Sequence, residues 1–126
     1  MATREQGFVP GRHKIETYGD GGFRFADMSH RGSILALPSG VHAAPLQRAA
    51  EIDEVALARL FAEPKDAVEL LIVGTGLDLL PIPSSLRAKL RAAGVMCEPM
   101  ATGAAVRTYN MLVEEDRRVA ALLIAV

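Results

Sequence analysis

Tryptophan is absent from this 126-residue chain, and aromatic residues of every kind make up only 5% of it. That scarcity argues against single-stranded nucleic-acid binding by base stacking and against an aromatic belt at a membrane interface. An excess of charge of either sign is also missing, with 14 Lys and Arg against 15 Asp and Glu. The net charge is −1, so no overall field draws the chain to nucleic acid or to an anionic membrane. No apolar run approaches the ~20 residues that span a bilayer. Met1 to Lys14 has no apolar core of a secretory signal, so a cytoplasmic protein is expected.

There is a single cysteine, Cys97, inside a predicted strand. A lone thiol cannot close an internal disulfide, which suits a reducing compartment. Glu98 beside it offers no basic activation, so the sequence favours a small buried hydrophobe. The histidines His13, His30 and His42 are scattered without metal-ligand spacing, and no metal or cofactor is expected. Gly32-Ser33 opens a strand and is not a nucleophile elbow. Asp20 and Asp27 can meet across a hairpin, but turn and surface roles account for both.

What is present is apolar: half of all residues. At this length roughly two-thirds of the unfolded surface can be buried, enough for a core in one domain. Residues 1–14 read as a flexible N-terminal arm and residues 15–126 as a single α/β domain. Ile15–Tyr18 and the alternating Phe23-Arg24-Phe25 form a hairpin about Gly19-Asp20-Gly21-Gly22. A strand is expected over Arg31–Leu37, and Val41–Glu51 reads as irregular or a short strand. Asp53 has the form of a helix N-cap before a stripe of Leu57, Leu60 and Phe61, with Pro64 beyond its end.

The second half has clearer periodicity. Glu69–Val73 reads as a central strand, and Ser84–Ala93 as a helix burying Leu86, Leu90 and Ala93 before Gly94. Val95–Glu98 is a strand. Thr102 then caps a helix with Ala105, Tyr109 and Leu112 inward, and Arg118–Val126 is a last strand. The expected fold is therefore a layered domain with a mixed sheet: antiparallel hairpin strands, then β-α-β-α-β with parallel pairing between the strands at Glu69 and Val95.

Chemistry concentrates between Val68 and Asn110. Gly74-Thr75-Gly76 ends an apolar strand, where backbone N–H groups can face an anion, although glycines also serve a tight turn. A dinucleotide turn needs a third glycine and an immediate helix, and a P-loop needs Gly-Lys-Ser/Thr; neither is present. Arg107 and Asn110 lie at i and i+3 of the third helix, with Glu114 at i+7, away from its apolar stripe. With Gly74, Thr75, Gly76 and Thr102 they form a candidate anion-binding crevice, or else a solvated helix face. Arg87, Lys89 and Arg91 make a cationic patch suited to an acidic protein partner, or another solvated face. No complete reactive set emerges, so a non-enzymatic protein is expected, the alternative being a small anionic-ligand binder or an enzyme that uses the crevice at Gly74-Thr75-Gly76.

Gly74-Thr75-Gly76, followed by Thr102-Gly103-Ala104-Ala105-Val106-Arg107-Thr108-Tyr109-Asn110-Met111-Leu112, resembles a known family. It is similar to the family of the mitochondrial respiratory complex I assembly factor 3 and its bacterial and archaeal relatives (domain of unknown function family 498). Ile15-x-x-Tyr18-Gly19, Gly22-Phe23-x-Phe25, Gly32-Ser33-Ile34, Leu37-Pro38 and Arg118-Val119-Ala120-Ala121-Leu122-Leu123 also fit, so the resemblance runs from Ile15 to Val126. It implies a layered α/β domain without established catalytic residues. It also implies an interaction protein assisting assembly of a complex I-like respiratory complex, with subunits of that complex as partners, at the cytoplasmic face of the inner membrane. One departure is Ala43-Ala44-Pro45, where relatives often carry a tryptophan. The arm and first hairpin offer a further route, to a homodimer.

Overall fold

A computed structural model describes residues 8–126. Two sheets form. The larger has six strands in the order β1-β6-β5-β9-β7-β8, and the smaller has three in the order β2-β3-β4. In chain order these are β1 (Phe8–Pro10), β2 (Thr17–Gly19), β3 (Gly22–Phe25), β4 (Met28–Arg31), β5 (Ser33–Leu37), β6 (Gly40–Ala44), β7 (Leu70–Gly74), β8 (Met96–Met100) and β9 (Val119–Leu123). The helices are α1 (Ala58–Phe61), α2 (Ser84–Ala92) and α3 (Thr102–Glu114). β7 runs parallel to both β8 and β9, whereas β5 is antiparallel to β6 and β9, so the sheet is mixed as expected.

The period-2 geometry of the central strands divides the core between two faces. Leu35, Leu37, Leu71, Val73, Ala120 and Leu122 point to one face, where Leu57, Leu60, Leu86 and Leu90 cover them. Ile34, Ala36, Ile72, Val119, Ala121 and Leu123 point to the other, under Ala105, Val106 and Tyr109 of α3 and Phe23 and Phe25 of the small sheet. The result is three layers: α1 and α2, then the large sheet, then α3 with the small sheet. The buried Tyr109 hydroxyl donates to the His13 carbonyl at 3.1 Å, and burial pushes its pKa up to about 12.

Several local expectations are corrected. Residues 1–7 of the expected arm lie outside the described residues, while the rest of it is engaged. Phe8–Pro10 pairs with β6, Lys14 bridges Glu114 at 2.7 Å and Arg12 faces Asp116 at 3.6 Å. The strand expected over Arg31–Leu37 is two strands in different sheets, because Gly32 turns the chain at φ +97°. A second tight turn at Ala26 and Asp27 (φ 51° and 59°) joins β3 to β4, a strand the sequence reading did not separate. Gly40–Ala44 is a full partner of β5, followed by a 3-10 turn at Ala49–Glu51. Asp53 does accept the Ala56 N–H at 2.9 Å, but the helix it was expected to start shrinks to four residues and leaves Phe61 exposed. Ala93 is exposed too, since α2 ends one residue earlier; Gly94 follows at φ +81°, and the Val95 N–H closes on the Leu90 carbonyl at 2.8 Å.

Candidate functional site

The segments leaving β7, β8 and β9 meet at one end of the large sheet, where open α/β sheets commonly hold ligands. Thr102 binds them together. Its hydroxyl donates to the Ile124 carbonyl at 2.8 Å and accepts the Gly76 N–H at 3.0 Å. Its own N–H donates to the Gly76 carbonyl at 2.8 Å, and the Ile124 N–H donates to the Gly74 carbonyl at 2.9 Å. Thr102 was expected to cap α3, but it is the first helical residue and is fully buried, with its hydroxyl directed across the strands. Gly74 makes room for this contact: a Cβ there would lie 2.9 Å from Thr102 Oγ1 and 3.1 Å from Leu123 Cδ2.

The Gly74–Gly76 turn offers little to an anion in this arrangement. The Thr75 N–H donates to the Met100 carbonyl at 2.9 Å, and the Gly76 N–H is held by Thr102. The Thr75 hydroxyl, also buried, donates to the Asp78 carbonyl at 2.6 Å, with the Met100 carbonyl at 3.2 Å, and accepts the Leu80 N–H at 3.0 Å. It organises the following loop. Gly76 itself sits at φ +110°, a conformation that L side chains rarely adopt.

Beside the turn lies a crevice of about 390 Å³, walled by Gln47–Ala50, Thr75, Gly76, Leu77, Leu80 and Ile124–Val126. Arg48 is the cationic side chain in that wall. The Glu51 carboxylate fixes the 47–51 segment by accepting the N–H groups of Gln47 at 2.7 Å and Arg48 at 3.0 Å. Those two bonds hold its pKa below the usual carboxylate value.

Arg107 and Asn110 do not line this crevice. Asn110 clamps the main chain of Ile15, accepting its N–H and donating to its carbonyl, each at 2.8 Å. Arg107 is exposed on α3, and Glu114 is drawn to Lys14, which lowers its pKa. The expected grouping therefore splits: Gly74, Thr75, Gly76 and Thr102 come together, and Arg107 and Asn110 stand apart from the crevice. The cationic patch on α2 also divides. Arg87 reaches the Cys97 carbonyl at 3.4 Å and Lys89 pairs with Glu54, while the Arg91 side chain makes no polar contact among the described residues. Cys97 is buried, and desolvation raises its pKa. Among the described residues no group of three or more His, Cys, Asp or Glu is placed to hold a metal ion, and no helix is long and apolar enough to cross a membrane.

The sequence reading missed the loop itself. Leu77, Leu79 and Leu80 are 83%, 62% and 45% exposed, next to the crevice. The signal was available: three leucines between a strand end and Pro81/Pro83, where the chain must run over the surface.

A family model described as "Protein of unknown function (DUF498/DUF598)" matches residues 15–124. An uncharacterized protein of Rhodobacter capsulatus is 42% identical over 124 residues, covering 98% of this chain and 93% of that protein. The crystal structure of an outer membrane protein from Bartonella henselae superposes with a TM-score of 0.86 at 49% identity, over 92% of this chain and 97% of that one. The NMR structure of the Rpa2829 protein from Rhodopseudomonas palustris gives 0.80 at 45% identity, over 100% of this chain and 93% of that one.

Proposed function

The chain belongs to the DUF498/DUF598 family of proteins of unknown function, and from that premise we propose that it is a non-enzymatic interaction protein that assists assembly of a complex I-like respiratory complex at the inner membrane face. The observation carrying this reading is the leucine loop. Leu77, Leu79 and Leu80 together present roughly two leucine side chains' worth of apolar surface, or about 3–5 kcal/mol on burial in a partner. Thr75 already holds that loop through Asp78 and Leu80, so little conformational freedom remains to be lost on docking. The neighbouring crevice gives an apolar side chain of the partner a place to enter.

Deleting the gene and measuring assembled NADH:quinone oxidoreductase in membranes tests the assembly role. The expected result is a reduced level, restored by the wild-type gene but not by a folded variant carrying Leu77→Ser, Leu79→Ser and Leu80→Ser. An unchanged level after deletion, or full restoration by the triple variant, overturns the reading. Pull-down from native membranes gives a second readout, with recovery of subunits of the respiratory complex expected. Because the Bartonella relative is described as an outer membrane protein, inner and outer membrane fractions are assayed separately.

A further inference from the structure

We infer that the outer face of the small sheet is a binding site for a small oxyanion-bearing molecule, a carboxylate or a phosphate. Strand register sets up the site. Thr17, Arg24 and Ser29 stand directly opposite one another across β2, β3 and β4, and Gly19, Gly22 and Arg31 form the adjacent row. Residues two apart share a face, so Thr17, Arg24, Ser29 and Arg31 look outward while Phe23 and Phe25 pack into the core. Gly19 puts no side chain over the floor, and Gly22 is buried against β4, where a Cβ would collide with the His30 carbonyl oxygen. The resulting concavity is about 430 Å³ and shares no lining residue with the leucine-loop crevice.

The donors in it outnumber the acceptors. Arg24 uses its Nε toward Glu16 at 3.3 Å and one Nη1 hydrogen toward Ser29 Oγ at 3.3 Å, which fixes the guanidinium across the sheet and leaves its remaining N–H groups available. The Arg31 side chain makes no hydrogen bond or ion pair among the described residues, so its whole fork of donors is open. Arg24 and Arg31 are diagonal neighbours on adjacent strands, about 7–8 Å apart at the backbone, within range for two long side chains to grip one oxyanion. The hydroxyls of Thr17 and Ser29 complete the set. Two carboxylates stand by: Glu16, already held by Arg24, and Asp20 at the exposed hairpin tip. Neither satisfies Arg31, and an acceptor-rich ligand does.

Inorganic phosphate and citrate serve as probes in a ¹H–¹⁵N NMR titration of the full chain, with sodium chloride at matched ionic strength as the control. Saturable shifts are expected at the amides of Gly19, Gly22, Ser29 and Arg31 and at the arginine Nε–H groups. Arg31→Gln should weaken that saturation by about tenfold, the loss expected for one charge-assisted contact, with the core amides unmoved. Saturation by phosphate alone assigns the phosphate class, by citrate alone the carboxylate class, and by both a general oxyanion site. Shifts that drift linearly, that chloride reproduces, or that Arg31→Gln leaves unchanged overturn the inference.

Discussion

Replacing Thr102 with valine keeps the volume and removes one hydroxyl, which makes it a clean test of how the strand ends are joined. That hydroxyl lies in a fully buried side chain and serves two main-chain groups, the Ile124 carbonyl at 2.8 Å and the Gly76 N–H at 3.0 Å. Each lost hydrogen bond is worth about 1 kcal/mol, and a buried partner left unpaired adds about 1–3 kcal/mol. The Ile124 carbonyl and Gly76 N–H share that penalty, so the total expected for Thr102→Val is about 2–4 kcal/mol. With a urea m-value of about 1.5 kcal/mol/M, the unfolding midpoint should fall by roughly 1.3–2.7 M. Thr102→Ser is the control. It keeps the oxygen and deletes a buried methyl, for about 1 kcal/mol. Equilibrium urea unfolding followed by far-UV circular dichroism measures both. A Thr102→Val stability within about 0.5 kcal/mol of wild type, or a serine as damaging as valine, would mean that the hydroxyl does not join the strand ends.

Three further outcomes follow from the same contacts. Asn110→Ala breaks two 2.8 Å bonds to the Ile15 main chain and should cost about 2–3 kcal/mol while accelerating hydrogen exchange at the Ile15 amide; an unchanged exchange rate rejects the clamp. Cys97, buried and with its pKa raised, should resist a thiol reagent at neutral pH until denaturant is added, and rapid modification of the native protein would contradict that environment. Glu51 has a depressed pKa in the fold because it accepts the Gln47 and Arg48 amides. Its contribution is therefore present above its unfolded value and lost as pH falls below 4.5 through the folded value. A carboxyl NMR titration giving Glu51 an ordinary pKa would show that the 47–51 segment is not fixed this way.

The parts legible in the sequence are those where one physical pattern acts alone. β3 is recognisable from Phe23-Arg24-Phe25 because one face of it is buried, and α2 from Leu86, Leu90 and Gly94 because amphipathicity and the stop signal agree. The misread stretches are those where the signal is carried by an unexpected residue. The turn at Ala26 and Asp27 adopts positive φ without a glycine, so nothing marked the start of β4. Gly32 lies within what reads as one continuous strand, and its φ of +97° sends the chain into a second sheet. Thr102 stands where a cap is expected, yet burial against Ile124 gives its hydroxyl partners on other segments, which local sequence does not reveal. The candidate site was legible only in part for the same reason. Asn110 looks like a ligand group until Ile15, 95 residues away, is seen in its grasp.

The contacts of Thr102 and Thr75 also bear on what kind of binding each surface supports. In many α/β domains the strand-end turn keeps its N–H groups free for an anion. Here Thr75 and Gly76 direct theirs inward, and what that end of the molecule shows to solvent is Leu77, Leu79 and Leu80. Recognition through the leucines, as proposed, would rest on apolar burial, which salt does not screen. The small sheet presents the reverse: the open guanidinium of Arg31, beside Arg24 with part of its donors free, on an exposed face. Raising ionic strength from about 0.1 to 1 M shortens the screening length from about 10 to 3 Å, so oxyanion binding at the small sheet should weaken steeply while partner capture through the leucine loop persists. Titrating phosphate and repeating the membrane pull-down at both salt levels checks this. Capture lost at high salt would mean that charge, not the leucines, holds the partner.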